Sequence, residues 1–550
     1  MHVTSPGAAV APMPSQRSAR MVAVRFAGPD QTYAMPSGGT LRQAAEALGL
    51  AVGAGCGQGD CCADLVRVLD GADNLEPPGA MERLTLSRIG AAADQRLACC
   101  ARVLGPVTVA PPDAAKEADA CIDELLRARV DAGVERVIIV GNGIAGSTAL
   151  ARITALSPRC RVTVIGEEPH GFYNRMGIAR LIESAEGADS LAYPDSPALV
   201  APTVDRRINT LVRAIEPAAH AVLLGTGERL GYDRLLLATG AAAARPPLPG
   251  VELAGCFDLR TAADAMEIRN WLQRLPVEQA VVVGAGVLGL EAAETLARFG
   301  VPAQVLESGP GAMPSELLPA TATVVADMLA RHRVQVRAGV RVAAVRGADD
   351  NLGRVGAVEL SSGELVPAGL VLFCTGNRPN IPLARDAGLR CGQGIRVDDQ
   401  MRTSDPHIFA AGDVAELHGR VTGLWEPARQ QALVAAESML GLAHHWRPAL
   451  LPMRAKLKSL DLVTLGALPP TRGAEILVSA ARGRSWRQLV LDANGRVAAA
   501  AFVNAPRWVA DVEMAARAGR DLRPLLESLR EGCWEVLRDA EPVPERAEAA

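Results

Sequence analysis

The run VIIVGNGIAGSTAL, Val137 to Leu150, decides the fold of this 550-residue chain. A β-branched stretch breaks into Gly141-Asn142-Gly143-Ile144-Ala145-Gly146 and then into small helix-forming residues, the signature of a strand, a tight turn and a helix start. Each glycine has its own duty. Gly141 permits the turn, Gly143 lets the backbone approach a pyrophosphate, and Gly146 lets helix and strand pack closely. The helix start offers unpaired N–H groups and the positive end of a dipole to phosphates. One such loop is weak evidence, but VVVGAGVLGLEAA, Val281 to Ala293, repeats it with Gly284, Gly286 and Gly289. Two dinucleotide folds in one chain imply two dinucleotides.

At about 150 residues per domain, the chain has room for three or four domains. Net charge is −4 at 21% charged residues, so there is no basic footprint for nucleic acid or an anionic membrane. No apolar run reaches the roughly 18 residues that would span a bilayer. Residues 1–20, rich in Pro, Ser and small side chains, read as a disordered tail with no signal-peptide core. Eleven unevenly spaced cysteines do not form a disulfide framework; they point to the cytoplasm and to a thiolate-ligated site.

Residues 21–112 form the first module. Val22 to Phe26 alternates as a strand, Thr40 caps the helix LRQAAEALG, and Leu65 to Leu69 is a further strand. Cys56 and Cys61 enclose four residues in a glycine-rich loop, and Cys99-Cys100 follow in RLACCARV. The plant-type [2Fe–2S] pattern is C-x4-C-x2-C with a distant fourth cysteine. The module resembles the β-grasp [2Fe–2S] ferredoxins, and the resemblance places Cys56, Cys61 and Cys99 on the first, second and fourth ligand positions. Asp64 stands at the third. Carboxylate oxygen is a harder ligand than thiolate and would change the cluster's potential or stability. Cys62 or Cys100 could take that place if the loop shifts by a residue. Residues 113–134 have the composition of a charged linker.

Beyond the first glycine loop, Arg161 to Ile165 reads as a strand, and Glu167 after it can bond the adenosine ribose hydroxyls, with Glu168 as the fallback. EEPHGFYNR and then YDRLLLATG, ending at Gly240, resemble the pyridine-nucleotide-disulfide oxidoreductase superfamily. The similarity is to its ferredoxin/rubredoxin reductases and to the flavin domain of the nitrite reductase large subunit. That resemblance implies FAD in residues 135–250 and 376–444, with a nicotinamide domain in 251–375 between them. It implies Arg175 and Arg180 beside the flavin, Gly412 and Asp413 of HIFAAGDVAE at the ribityl chain, and Trp425 of WEPARQQ bordering the isoalloxazine. It also places Glu291 beside the nicotinamide. Glu307, ending the strand after the second loop, accepts bonds from a free 2′-OH and repels a 2′-phosphate, which favours NADH over NADPH. Met176-Gly177-Ile178-Ala179 replaces the redox-cysteine run of peroxide-reducing relatives, which disfavours thiol chemistry.

Residues 445–550 resemble the interface domain of the same reductases, which often dimerises, and so imply a homodimer. Lys456 to Leu465, the segments around Ile476 and Val490, and Val497 to Val503 read as strands, with a hairpin turn at Asp492–Gly495. Helices are expected around Ala510–Ala518 and Leu522–Leu537. No siroheme or [4Fe–4S] cysteine set follows, so nitrite reduction by that enzyme's route is not expected.

The fold class is therefore α/β: two Rossmann-like dinucleotide-binding domains, an N-terminal β-grasp ferredoxin-like domain and a C-terminal α+β interface domain. The resemblance implies an NADH-dependent FAD oxidoreductase that passes electrons, through its [2Fe–2S] cluster, to a protein acceptor such as a ferredoxin, a rubredoxin or a terminal reductase or oxygenase. Two other readings fit the motifs: a subunit of an amine or amino-acid dehydrogenase, and a redox-sensing or docking protein with a degenerate ferredoxin module.

Overall fold

The computed structural model describes residues 21–537 except 28–30, 49–64, 80–81, 84, 87–90, 93, 111–125, 185–186, 193–200, 349–352, 448–449, 456, 469–474 and 481–484. It contains two compact units, Met1–Cys121 and Ile122–Ala550.

In the first unit the strand Met21–Phe26 alternates exposed and buried residues along its length. Val22, Val24 and Phe26 therefore enter one core while their neighbours face water. This strand pairs antiparallel with Gln31–Pro36 and parallel with Val107–Ala110. Leu65–Asp70 then lies between Val107–Ala110 and Gln95–Leu97, antiparallel to both. The helix Leu41–Ala47 lays Leu41 and Ala44 onto the same core. Thr40 caps it reciprocally: its Oγ1 accepts the Gln43 N–H at 3.3 Å, and its own N–H donates to Gln43 Oε1 at 3.0 Å. The helix Leu41–Ala47 across a mixed five-stranded sheet is the β-grasp arrangement.

A buried ion pair holds one edge of this unit. Arg96 makes a two-pronged contact with Glu82, 2.7 Å from Nε to Oε1 and 2.9 Å from Nη2 to Oε2, and Glu82 Oε1 also accepts the Leu97 N–H at 2.9 Å. Both side chains are buried.

The second unit carries two parallel five-stranded sheets built to one plan. The first orders its strands Ile408–Ala410, Arg234–Leu237, Arg136–Val140, Arg161–Ile165, Val204–Arg207. The second orders them Cys256–Asp258, Leu370–Phe373, Ala280–Val283, Ala303–Leu306, Val334–Arg337. Each glycine loop leaves the central strand and opens a helix, Ile144–Leu156 or Val287–Arg298. Each half also carries a three-stranded antiparallel sheet. The chain crosses between the halves on an antiparallel pair, Ala241–Ala243 with Asn377–Pro379. The first sheet is completed only on the return, by Ile408–Ala410.

The C-terminal sheet, Pro452–Ala455, Leu462–Gly466, Val497–Val503, Trp486–Leu491 and Glu475–Ala480 in spatial order, is antiparallel throughout. Leu462, Ala501 and Val503 belong to the same apolar core as Leu290, Leu296 and Val325 of the half that carries the second glycine loop. Polar pairs fix the seam: Gln488 Oε1 accepts the Leu318 N–H at 2.9 Å, and Trp486 Nε1 donates to Thr321 Oγ1 at 3.0 Å.

Two expectations for this domain change. The continuous strand expected over Lys456–Leu465 begins only at Leu462. Before it the chain bends, because the buried Glu294 carboxylate accepts the N–H groups of Lys458 (2.6 Å) and Ser459 (2.7 Å) and so competes with sheet pairing. The helix expected over Leu522–Leu537 is three short pieces, Arg523–Leu525, Leu526–Arg530 and Trp534–Leu537. Gly532, at φ +93°, ends the middle piece before Trp534 turns into the core beside Trp508 and Phe502.

Removing one partner of a buried ion pair leaves the other charge unpaired in low dielectric, at a cost of about 3–5 kcal/mol. Glu82→Ala is therefore expected to destabilise the N-terminal unit by that amount, measured by native-state hydrogen exchange at the Leu97 and Val103 amides of the full chain. A loss under about 1 kcal/mol would show that the pair behaves as a surface one.

Candidate functional site: paired dinucleotide loops

The two glycine loops share their backbone logic. The first glycine of each lies in the left-handed region, φ +116° at Gly141 and +105° at Gly284. A β-carbon there would run into the carbonyl oxygen of Ala238 or of Cys374 on the adjacent strand's end. The third glycine, Gly146 or Gly289, packs against the carbonyl of the first, again leaving no room for a side chain. The middle glycines differ in kind: a β-carbon at Gly143 or Gly286 would meet no atom within 4 Å. Each stands at the N-cap of its helix, and no side chain caps the N–H groups there. An open, backbone-lined approach to an uncapped helix start fits a pyrophosphate. At the first loop, Asn142 Oδ1 and Nδ2 and Ser147 Oγ are buried with no hydrogen-bond partner among the described residues. Polar groups of a bound dinucleotide are of the right chemistry to satisfy them.

Register separates the acidic residues of the two halves. Val140 pairs with Ile165, and Val283 pairs with Leu306. The residue following each strand is thus Gly166 in one half and Glu307 in the other. Glu307 is buried, and its carboxylate accepts N–H groups from Ala285 in the second loop (2.8 Å) and from Gly309 (2.6 Å). In the first half Asn142 occupies that neighbourhood, because a β-carbon on Gly166 would come within 3.0 Å of the Asn142 β-carbon. Glu167 stands one residue further on and is exposed. Glu168 is engaged elsewhere, accepting the Tyr173 hydroxyl at 2.7 Å and the Arg175 guanidinium.

These contacts begin a network that laces the two halves together. Tyr173 is buried, which holds its hydroxyl protonated well above the usual phenol range. That hydroxyl also accepts the Ala262 N–H at 3.1 Å. Arg175 stacks over the Tyr173 ring at 4.9 Å and donates to the Arg260 carbonyl at 3.0 Å. Arg260 in turn donates from Nη2 to Asp413 at 2.6 Å and from Nε to the Ala241 carbonyl at 2.9 Å. Arg180 stands apart, exposed at the surface with its guanidinium over Gly177. Sequence reasoning passed over Arg260. Its only signal was the DLRT run, whose threonine does form a capping box with Asp264.

The A-G-D turn comes to the first loop. A β-carbon on Gly412 would lie 3.2 Å from that of Ala145, and the Gly412 N–H donates to Gln431 at 2.9 Å. Gly240 is in the left-handed region at φ +66° with open space before it. Trp425 opens the helix Trp425–Met439 and stacks on Phe172, ring centroids 5.9 Å apart at 25°. Glu291 is buried on the helix that the second loop starts. Cys374, behind the second loop, is partly buried, and desolvation pushes its thiol up to about 12. It is packing, not a nucleophile.

In the N-terminal unit Cys99 and Cys100 lie in the turn after Gln95–Leu97, their sulfurs 3.8 Å apart. Cys56, Cys61, Cys62 and Asp64 lie outside the described residues.

Residues 135–432, more than half of the chain, match the pyridine nucleotide-disulphide oxidoreductase family, and residues 24–104 match the 2Fe-2S iron-sulfur cluster binding domain. The chain belongs to the pyridine nucleotide-disulphide oxidoreductase family. It is an NAD(P)H-dependent FAD oxidoreductase with a [2Fe–2S] domain at its N-terminal side. It is 34% identical over 312 residues to the ferredoxin–NAD(+) reductase component of the biphenyl dioxygenase system of Paraburkholderia xenovorans strain LB400, covering 56% of this chain and 75% of that protein. It is 33% identical to the rubredoxin-NAD(+) reductase of Pseudomonas putida, covering 60% of this chain and 86% of that one. Among solved structures, the covalent putidaredoxin reductase–putidaredoxin complex matches with a TM-score of 0.66 at 27% identity, over 75% of this chain and the whole of that one.

The difference between the glycines yields a paired expectation. Gly286→Ala puts a methyl into open space at an ordinary backbone conformation (φ −69°), so the melting temperature should stay within about 2 °C. The same methyl blocks the phosphate approach, and KM for the nicotinamide substrate should rise about tenfold or more. Gly141→Ala, which meets the Ala238 carbonyl, should purify without its flavin. A Gly286→Ala enzyme of unchanged KM would detach that loop from the nicotinamide cofactor.

Proposed function

We propose that the chain oxidises NADH and delivers the electrons through FAD and its [2Fe–2S] module to a protein acceptor of the ferredoxin, rubredoxin or terminal reductase/oxygenase class. The observation that carries this reading is the pair of glycine loops, alike in backbone geometry, at the heads of two sheets of one plan. Gly141, Gly143, Gly146, Glu167, Gly240, Gly412 and Asp413 are proposed to hold FAD, with Trp425 at its rim. Gly284, Gly286, Gly289 and Glu307 are proposed to hold the nicotinamide dinucleotide, with Glu291 near the reacting ring. FAD supplies the exchange between two-electron hydride chemistry and single-electron transfer.

What the chain itself contributes is positioning and charge. The uncapped starts of Ile144–Leu156 and Val287–Arg298 present N–H groups to pyrophosphate. Arg175, and from the surface the exposed Arg180, would supply positive charge toward the negative charge that develops on a reduced ring system. Glu307 faces the adenosine ribose, and a 2′-phosphate there would set negative charge against a buried carboxylate; hence NADH. The acceptor class rests on the relatives: one serves a dioxygenase system as its ferredoxin reductase, and one reduces rubredoxin. Cys56, Cys61 and Cys99 are proposed as cluster ligands, with Asp64, Cys62 or Cys100 completing the set. The C-terminal domain is proposed to form a homodimer, and the protein to work in the cytoplasm without nucleic acid or a membrane span. Among the described residues no helix is long and apolar enough to cross a membrane.

Anaerobic titration with NADH, following flavin bleaching and the iron–sulfur EPR signal together, tests the reading. One equivalent should bleach the flavin, and further reduction should raise the EPR signal. Bleaching by a small amine or amino acid but not by NADH would sink it. In steady-state reduction of an artificial dye, kcat/KM for NADH should exceed that for NADPH by about 10²-fold, and Glu307→Ala should bring the ratio within about tenfold of unity.

A further inference from the structure

We propose that Cys100 is an iron ligand that shares one iron of the [2Fe–2S] cluster with Cys99, so that the donor set needs no oxygen from Asp64. The inference rests on the reading that the N-terminal unit holds a cluster, and it addresses which residue supplies the thiolate missing from the third position of the ligand pattern.

The geometry points there in three steps. In an extended strand successive side chains leave on opposite faces, so consecutive cysteines there cannot bring their sulfurs together. Here the strand Gln95–Leu97 ends, and the N–H groups of both Cys100 and Ala101 donate to the Leu97 carbonyl at 2.9 Å. That closes a single helix-like turn. Ala98 and Ala101, three apart, go fully into the core, while Cys99 and Cys100 between them are partly exposed on the other side. The turn thus points two adjacent thiols the same way.

Their spacing is the second step. The sulfurs are 3.8 Å apart. Metal–thiolate bonds of about 2.3 Å at a tetrahedral angle put two sulfurs on one metal about 3.8 Å from each other. Sulfurs bound to the two different irons of a cluster lie farther apart, and a disulfide would need about 2.05 Å. Two thiols in ordinary contact thus already stand at the separation that one tetrahedral centre requires. On binding, each thiol gives its proton to solvent and donates a sulfur lone pair to iron.

The third step is support. A ligand pair must be held without rotational slack. The turn hangs from Leu97, whose N–H is bonded to Glu82, itself locked onto Arg96. Arg96 Nη2 also donates to the Glu76 carbonyl at 2.9 Å. Soft thiolate in place of a hard carboxylate also suits iron–sulfur chemistry better.

The test uses the full chain purified anaerobically, comparing wild type with Cys100→Ala, Cys100→Ser and Asp64→Ala by iron and acid-labile sulfide per chain and by EPR of the reduced protein. Flavin content of the same samples reports that each chain is folded. Cys100→Ala should lose more than half of its iron and sulfide. Cys100→Ser, which keeps an oxygen donor at the site, should retain more iron than Cys100→Ala with shifted g-values. Asp64→Ala should match wild type in both iron and g-values. The proposal falls if Cys100→Ala keeps wild-type iron and EPR, or if Asp64→Ala loses the cluster. A wild-type chain free of iron and sulfide would instead remove the cluster reading beneath it.

Discussion

The second unit depends on one close approach made twice. Where Gly146 lies on the Gly141 carbonyl, and Gly289 on that of Gly284, a helix begins almost in contact with the strand that feeds it. That contact aims the first N–H groups of the helix along the loop and leaves the middle glycine bare. Any side chain at the contact would lift the helix from the sheet and turn its dipole away from the phosphates. The loop geometry and the close packing of Ile144–Leu156 and Val287–Arg298 on their strands follow from this approach. The site is a by-product of packing.

Around that frame the chain distributes its charges as fasteners. Arg260, Asp413, Arg175, Glu168 and Tyr173 come from separated stretches and meet in one continuous set of bonds. Each group has a partner, which is the condition for keeping ionised side chains half-buried at modest cost. Glu294 does comparable work elsewhere, tying the C-terminal domain to the helix Val287–Arg298 through two backbone N–H groups. In both places a side chain satisfies backbone that has left regular structure.

Much of this was legible from the chain alone, because glycine loops, strand alternation and caps are local signals. The runs VIIV and AVVV, each followed by glycine, define strand, turn and helix within a dozen residues. Thr40 and Thr261 cap where their spacing to Gln43 and Asp264 says they should. What escaped is non-local. Nothing around Arg260 announces that Asp413 will meet it across 153 positions. Glu294 gave no sign that it would bend Lys458 and Ser459 out of a strand, and LRPLLESLREGCWEVL reads as helix until Gly532 and the core position of Trp534 are seen to divide it. The difference between Glu167 and Glu307 was likewise hidden in register, since one glycine shifts the first carboxylate outward by a residue.

The double crossing on Ala241–Ala243 and Asn377–Pro379 bears on how the protein is made. The sheet headed by the second glycine loop is contiguous in the chain, from Cys256 to Phe373, and has all its strands once that stretch has left the ribosome. The sheet headed by the first glycine loop starts earlier but lacks its edge, Ile408–Ala410, until the second has been synthesised. During that interval Arg234–Leu237 has an unpaired side. Synthesis order and completion order are therefore reversed: the half that emerges first is closed last, around a neighbour already formed.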